Sequence, residues 1–212
     1  DMNLLRIGLP AGFNIFVRQL FMSLLIKFVS QYGDGATALA GVGGKLSGFA
    51  LVPLFGFNMA SSAIVGHQLG RDEVPAAKRT AILGAVICSA TVFVITVFIL
   101  LFPQVILSAF FDNAETIKKG ITMVRILSCS YIPLAFAIGI QAVFSGSGHT
   151  RPLLYATIGS SWVVQLPFLF LAVSVFHLPL EAVWVSYVIS ELAHLCIALY
   201  HYKKGVWTTK RV

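Results

Sequence analysis

Hydrophobic residues run along this chain in long segments that lack the charged face of a soluble amphipathic helix. Four segments contain no Asp, Glu, Lys or Arg, at residues 46–70, 80–111, 126–150 and 152–180. Two more are interrupted by only one or two charges, at residues 7–33 and 182–202. Each is at least as long as the roughly 20 residues with which a helix crosses a bilayer. The pattern therefore predicts six transmembrane helices.

These segments predict an all-α integral membrane protein, in which residues 1–212 form a single six-helix lobe. We expect the helices near residues 6–32, 36–69, 79–102, 118–146, 152–176 and 180–202. An even number of spans places both termini on one side of the membrane. The side that holds both termini has nine basic residues, and the other side has two, Lys118 and Lys119. The nine are Arg6, Arg71, Lys78, Arg79, Arg151, Lys203, Lys204, Lys210 and Arg211. Because Lys and Arg accumulate in cytoplasmic loops, we expect a multi-pass protein of the cell (inner) membrane with both termini cytoplasmic.

The composition agrees with a membrane protein, since 58% of the residues are hydrophobic and 11% are charged, against about 25% charged in soluble domains. The net charge of +7 is explained by membrane topology and by attraction to lipid headgroups. The lipid bilayer is therefore an expected partner, and nucleic acid is not.

Cys88, Cys129 and Cys196 lie in different apolar segments without metal-ligand spacing, and we interpret them as small buried hydrophobic residues.

Three charged residues, Arg18, Lys45 and Glu191, fall inside the apolar segments. At a rise of 1.5 Å per residue, each lies ~14 to 18 Å from the nearest helix start, which is about half of a ~30 Å hydrocarbon core. Facing lipid, each would cost about 2.5–3.5 kcal/mol on insertion scales. We therefore expect all three to face the interior of the protein, where they pair or line a wet cavity.

Glu191 is the only acid among the three, and it lies on a helix face with Trp184, Tyr187 and His194 at spacings of three and four residues. Two interpretations stay open. In one, Glu191 is a permanent partner of Arg18 or Lys45; in the other, it binds and releases a proton during a transport cycle.

Other polar residues inside the spans complete a predicted substrate or ion pathway. Its members are Asn14, Arg18, Lys45, Asn58, Gln141, Gln165, Tyr187, Glu191 and His194. No catalytic residue, cofactor site or metal site is predicted, because one acid beside one His supplies neither a nucleophile with its base nor three metal ligands. Glycines four residues apart predict close helix contacts, at Gly8/Gly12, Gly44/Gly48 and Gly66/Gly70.

The order of several short motifs resembles the C-terminal half of a multidrug and toxic compound extrusion (MATE) transporter. They are LRIGLPAG, GATALAGVGG, VPLFGFNMASSAIVGHQLGRDEVPAAKR, FSGSGHTRP, VVQLP and the final AVW leading into YKKGVW. The resemblance covers residues 4–207 and implies one lobe of a twelve-helix antiporter with the substrate held between two lobes. It further implies H⁺ or Na⁺ as coupling ion, no cofactor, and as partner the N-terminal six-helix lobe or a second copy of this chain.

The chain departs from the family pattern at two positions. Some members carry a coupling carboxylate eight residues after the Pro of the first helix, where this chain has Arg18, and another in the fourth helix, where residues 127–147 contain no acid. The resemblance therefore implies that the other lobe holds the coupling site, or that Glu191 takes over part of the role.

The sequence predicts a secondary antiporter that exports drugs or toxic organic compounds by alternating access. Within the same superfamily, a flippase for a lipid or a lipid-linked oligosaccharide is the alternative, since it would use a basic cavity. Two alternatives of another class are an intramembrane enzyme using Glu191 and His194 and a membrane scaffold without transport activity.

Overall fold

Seven helices, a final 3₁₀ turn over Val206–Thr208 and no strand occur between residues 2 and 208, the part of the chain whose backbone this computed structural model describes. Side chains are described from residue 12 to 208. The helices are α1 (Met2–Ser30), α2 (Asp34–Gly70), α3 (Val74–Leu101), α4 (Pro103–Ser108), α5 (Ala114–Gly146), α6 (Arg151–Val175) and α7 (Glu181–Lys204). Six of them are long and apolar enough to cross a membrane, which confirms the predicted spans. Arg6, Gly8, Lys210 and Arg211, which entered the predictions, lie outside the range over which side chains are described.

Local signals set the helix boundaries. Pro75, Pro103 and Pro152 occupy the first turns of α3, α4 and α6, where a missing N–H costs nothing. The side chain of Asn113 accepts a hydrogen bond from the backbone N–H of Glu115 at 2.8 Å and caps α5. α3 and α5 therefore begin five and four residues before the predicted starts at 79 and 118. Their first turns carry the helix beyond the basic residues at which the predictions began, as a helix that projects from the hydrocarbon core can do.

The two ends of the bundle are held by different contacts. At the end where α1 begins and α7 ends, which we call the terminal side, a buried cluster joins α2, α3 and α5 to Trp207. The indole N–H of Trp207 donates to the carbonyl of Tyr202 at 3.1 Å, just beyond the left-handed Gly205 that ends α7. At the other end, the opposite side, the Tyr32 hydroxyl donates to the Leu178 carbonyl at 2.5 Å. Burial and the nearby Glu181 carboxylate raise the pKa of Tyr32, which keeps this hydroxyl a neutral donor.

α5 is the central helix and packs against α2, α3 and α7. Two glycines permit this packing. A Cβ atom on Gly139 would overlap the backbone of Ala85 in α3, and one on Gly146 would overlap the carbonyl oxygen of Ser62 in α2. α5 can approach α3 at Gly139 and α2 at Gly146 because only a residue without a side chain fits there.

The predicted glycine contacts are confirmed only in part. Gly66 lies against Gly146, since a Cβ added to Gly66 would be 3.0 Å from the Gly146 carbonyl oxygen. Around Gly44 and Gly48 the structure leaves open space instead, so the close contact predicted for that pair is wrong. Gly12 and Gly70 have open space too.

The hydrogen-bond ladder of α6 widens to i→i+5 turns over Ile158–Gln165 and Phe170–Val175, on both sides of Pro167. Proline removes one backbone donor, and such wide turns are frequent at functional sites. The first wide segment contains Ser160, which faces the site described next.

Candidate functional site

A cavity of about 620 Å³ lies between α1, α2, α5, α6 and α7. Its volume falls in the range of roughly 300–1,000 Å³ typical of small-molecule sites. Apolar, aromatic and amide side chains form most of its wall, and the charged groups among its lining residues are Arg18 from α1 and Glu191 from α7. A membrane-embedded bundle thus contains a space for an organic molecule with one base and one acid in its wall.

Seven of the nine predicted pathway residues line this cavity. They are Asn14, Arg18, Asn58, Gln141, Tyr187, Glu191 and His194. The structure therefore brings these seven residues together at one cavity. Their transport role stays a prediction.

Lys45 does not line the cavity. Its side chain is exposed, and its ammonium lies 5.7 Å from the centre of the Phe110 ring, near the opposite side of the bundle. α2 has 37 residues and is about 55 Å long, so it extends beyond a ~30 Å hydrocarbon core. In a ~30 Å core centred on α2, Lys45 lies roughly 10 Å from the midplane and about 5 Å inside the edge, from where a lysine side chain reaches the interface.

Gln165 also lies away from the main cavity. It is buried, and its amide nitrogen donates to the hydroxyl of Ser186 in α7 at 3.1 Å. It lines a second, smaller cavity of about 30 Å³, which shares Arg18 and Glu191 with the main one. That volume is sufficient for about one water molecule.

A chain of hydrogen bonds joins three helices at the cavity wall. The Gln141 amide nitrogen is 2.5 Å from Nε2 of His194, and Nδ1 of the same ring is 3.3 Å from the Ser160 hydroxyl. Ser160 donates onward to the carbonyl of Thr157 at 3.4 Å. This order of donors and acceptors is complete for a neutral imidazole that carries its hydrogen on Nδ1.

Two further hydrogen bonds position groups around the cavity. The Thr157 hydroxyl donates to Oδ1 of Asn14 at 3.2 Å, which ties α6 to α1. The Asn58 amide nitrogen donates to the Ile138 carbonyl at 2.6 Å, which ties α2 to α5. Asn14 therefore keeps its amide N–H groups, and Asn58 its amide oxygen, for a molecule in the cavity.

Arg18 and Glu191 form no salt bridge, although both line the same wall. Between residues 12 and 208, the ion pairs within 4.0 Å are Arg71–Glu73 and Lys119–Glu115, both exposed. One carboxyl oxygen of Glu191, Oε2, is buried without a hydrogen-bond partner. The structure thus contradicts a permanent ion pair between Glu191 and either Arg18 or Lys45.

Sequence reasoning missed several lining residues. Tyr131 and Ser47 share a hydrogen bond of 3.2 Å across α5 and α2. Apart from Ser130, the α5 residues that line the cavity recur every three or four positions, from Leu127 through Tyr131, Leu134, Ile138 and Gln141 to Ser145. This helical period was available in the sequence, but apolar residues at most of its positions made it resemble ordinary packing.

The MatE family profile matches residues 10–171 of this chain. The chain belongs to the MatE family. Among curated relatives, it is 28% identical to the probable multidrug resistance protein YoeA of Bacillus subtilis and 24% identical to the probable multidrug resistance protein NorM of Thermotoga maritima. Each alignment covers 99% of this chain and 45% of the relative, so the chain spans about half the length of these relatives.

Two solved transporter structures have the same fold as this chain. An outward-facing multidrug resistance MATE family transporter of the MOP superfamily superposes with a TM-score of 0.90 at 21% identity, over 99% of this chain and 47% of that one. A MOP superfamily transporter from Pyrococcus furiosus, for which reverse polarity of the binding pocket suggests a different function, gives a TM-score of 0.89 at 22% identity, over 95% of this chain and 46% of that one. The six-helix bundle is therefore half of a MATE transporter fold.

Proposed function

We propose that this chain is one lobe of a secondary antiporter that exports drugs or toxic organic compounds in exchange for H⁺ or Na⁺. The observation that carries the proposal is the cavity of about 620 Å³ with polar and ionisable groups in its wall, lined by five spanning helices. The names of YoeA and NorM, both probable multidrug resistance proteins, support export of organic compounds. Alternating access would expose the cavity to each side of the membrane in turn.

A second lobe would close the cavity. The partner is the N-terminal six-helix lobe of the same transporter or a second copy of this chain, since the relatives that match are about twice as long. The assembly would lie in the cell (inner) membrane with both termini cytoplasmic. The basic residues on the terminal side, such as Arg71, Lys78 and Lys204, support that orientation.

Glu191 is the residue of this lobe that we propose to hold a proton while substrate is bound, whereas the ion that is exchanged for the substrate binds in the partner lobe. Its buried Oε2 lacks a hydrogen-bond partner, and ionised carboxylates buried without donors are costly. If the exchanged ion is Na⁺, the several oxygen ligands that it needs would likewise come from the partner lobe.

A substitution that fills the cavity tests the proposal. Gly48 lines the cavity, and a Cβ atom there meets nothing within 4 Å. Gly48→Phe should abolish efflux of organic compounds by the complete transporter, measured as accumulation of a fluorescent substrate in a host without its own exporters. The host should be challenged with anionic as well as cationic compounds.

Gly56→Phe is the matched control. Gly56 is on the same helix, also has open space at its Cβ position, and lies outside the cavity wall. Its efflux should match that of the unmodified transporter at equal protein level. Equal efflux by both variants would contradict a transport path through this cavity.

A further inference from the structure

Arg18 is a base in the cavity wall whose charge no neighbouring acid neutralises directly. Among the described side chains, Arg18 takes part in no ion pair within 4.0 Å, and Glu191 keeps a buried oxygen without a donor. A guanidinium presents five N–H donors in a plane and binds carboxylate, sulfonate or phosphate groups through paired hydrogen bonds.

Asn14 lies one helical turn before Arg18 and also lines the cavity. Its Oδ1 already accepts the Thr157 hydroxyl at 3.2 Å. The amide N–H groups of Asn14 are thereby left as donors on the same side of α1 as the guanidinium. Together the two residues form a donor pair suited to an anionic group.

The rest of the wall suits a hydrophobic body. Leu51, Phe55, Leu134, Ile138 and Trp184 line the same space. A molecule with an apolar body and an anionic head would place the body against these side chains and the head at Arg18 and Asn14.

We propose that the lobe binds an amphiphilic organic anion, with its carboxylate, sulfonate or phosphate head on Arg18 and Asn14 while Glu191 is protonated. This inference rests on the proposed transport function and names the substrate class of the same cavity. The anion and the proton bind together, because an ionised Glu191 would repel the head and compete for Arg18. By linkage, each then increases the affinity of the other.

Few other ionisable groups line the cavities beside Glu191 and could alter the linkage between the anion and the proton. Facing Glu191 across the cavities are Arg18 from α1 and Tyr131 from α5, with Tyr187 and His194 on α7 itself. The lining residues from α2 and α6 carry no titratable side chain. The hydrogen bonds with Gln141 and Ser160 fit a neutral His194 ring, and the Glu191→Gln variant separates the contribution of Glu191 to the pH dependence from that of His194.

The experiment compares two probes with the same carbon skeleton and opposite charge, 4-phenylbutanoate and 4-phenylbutylammonium. Binding is measured by isothermal titration calorimetry on the complete transporter in phosphatidylcholine nanodiscs, with empty nanodiscs as blank. The transporter is expressed from its own locus, so that its partner lobe is present. The anion should bind at least tenfold more tightly than the cation, and its affinity should fall as the pH rises from 6 to 8.

Three variants separate the roles of the charges. Arg18→Gln should lower the affinity for the anion about tenfold or more, as expected for the loss of a charge-assisted hydrogen bond. The same variant should bind the cation more tightly than the unmodified transporter does, which also shows that it is folded. Lys45→Gln removes a base outside the cavity and should leave both affinities unchanged. Glu191→Gln should keep the anion bound and remove the dependence on pH.

A further arm distinguishes a lipid headgroup from a soluble anion. If phosphatidylglycerol in the nanodiscs lowers the affinity for 4-phenylbutanoate in the unmodified transporter but not in Arg18→Gln, the anionic head at Arg18 comes from a lipid. If phosphatidylglycerol does not change this affinity, the substrate is a soluble anion. Tighter binding of the cation, or an anion affinity that Arg18→Gln does not change, would overturn the substrate class while leaving the transporter function intact. Absence of binding for both probes together with absence of efflux would overturn the transporter function itself.

Discussion

At the scale of single residues, the cost of placing polar groups in hydrocarbon is what made the site predictable. Asn14, Arg18 and Glu191 could be assigned to the protein interior from sequence because lipid offers them no partner. Their mutual geometry could not be assigned, since one acid near two bases suggests an ion pair that the structure does not contain. Whether two side chains meet depends on helix rotation and tilt, which a single sequence does not give.

The hydrogen bond between Gln141 and His194 gives a prediction at this scale. Gln141→Leu leaves Nε2 of His194 without its partner at 2.5 Å. The loss should destabilise the protein by roughly 0.6–2 kcal/mol, between the mean for interhelical bonds in membranes and the cost of an unsatisfied buried group. The measurement is the free energy of unfolding of the purified transporter in mixed micelles.

Gln19→Leu serves as the control for that substitution. The Gln19 amide is exposed, and no hydrogen bond of this side chain is found within residues 12–208. Its removal should change the free energy of unfolding by less than about 0.5 kcal/mol. A loss for Gln141→Leu no larger than that of Gln19→Leu would show that the buried bond contributes nothing to stability.

At the scale of helices, the sequence predicted which helices exist better than it predicted which helices touch each other. All six spans follow from the length of the apolar segments, and Pro75 and Asn113 explain why two helices begin earlier than predicted. The short helix α4 was not foreseen, because residues 80–111 form one uninterrupted apolar segment and only Pro103 marks the break. Which glycines permit close packing was predicted poorly, since Gly44 and Gly139 look alike in a sequence and have different neighbours.

Gly139 provides the prediction at this scale. In Gly139→Ala, the new methyl group would overlap the backbone of Ala85, so α3 and α5 must separate. The variant should lose about 1–3 kcal/mol of stability, as overpacked cores do, and its apparent melting temperature should fall.

Gly44→Ala introduces the same methyl group where nothing lies within 4 Å. Since alanine favours a helix by up to about 1 kcal/mol over glycine, this control should melt at the same temperature or slightly higher. Equal melting temperatures for the two variants would mean that α3 and α5 do not approach as closely at Gly139 as described.

At the scale of the whole molecule, the fold and the family could be inferred from the chain alone, whereas its orientation still requires measurement. With Cys88, Cys129 and Cys196 replaced, cysteines introduced at Gly70 and Gln31 report on the two sides of the bundle. The structure places Cys129 and Cys196 on the exterior, which corrects their predicted burial and makes their replacement necessary. A membrane-impermeant thiol reagent added to intact cells should label Gln31→Cys and spare Gly70→Cys. The reverse pattern would place both termini outside.

The most direct test of the central claim, that the cavity of this lobe is the wet substrate site of a transporter, is the reactivity of a cysteine placed at Gly48. In the same cysteine-free background, Gly48→Cys is compared with Val86→Cys, an exposed position in the middle of α3 outside the cavity. We expect a water-soluble methanethiosulfonate to modify Gly48→Cys in the complete transporter, a transported compound to slow that reaction several-fold, and Val86→Cys, facing lipid, to remain unmodified. An unreactive Gly48→Cys, or a rate that no transported compound changes, would contradict the claim.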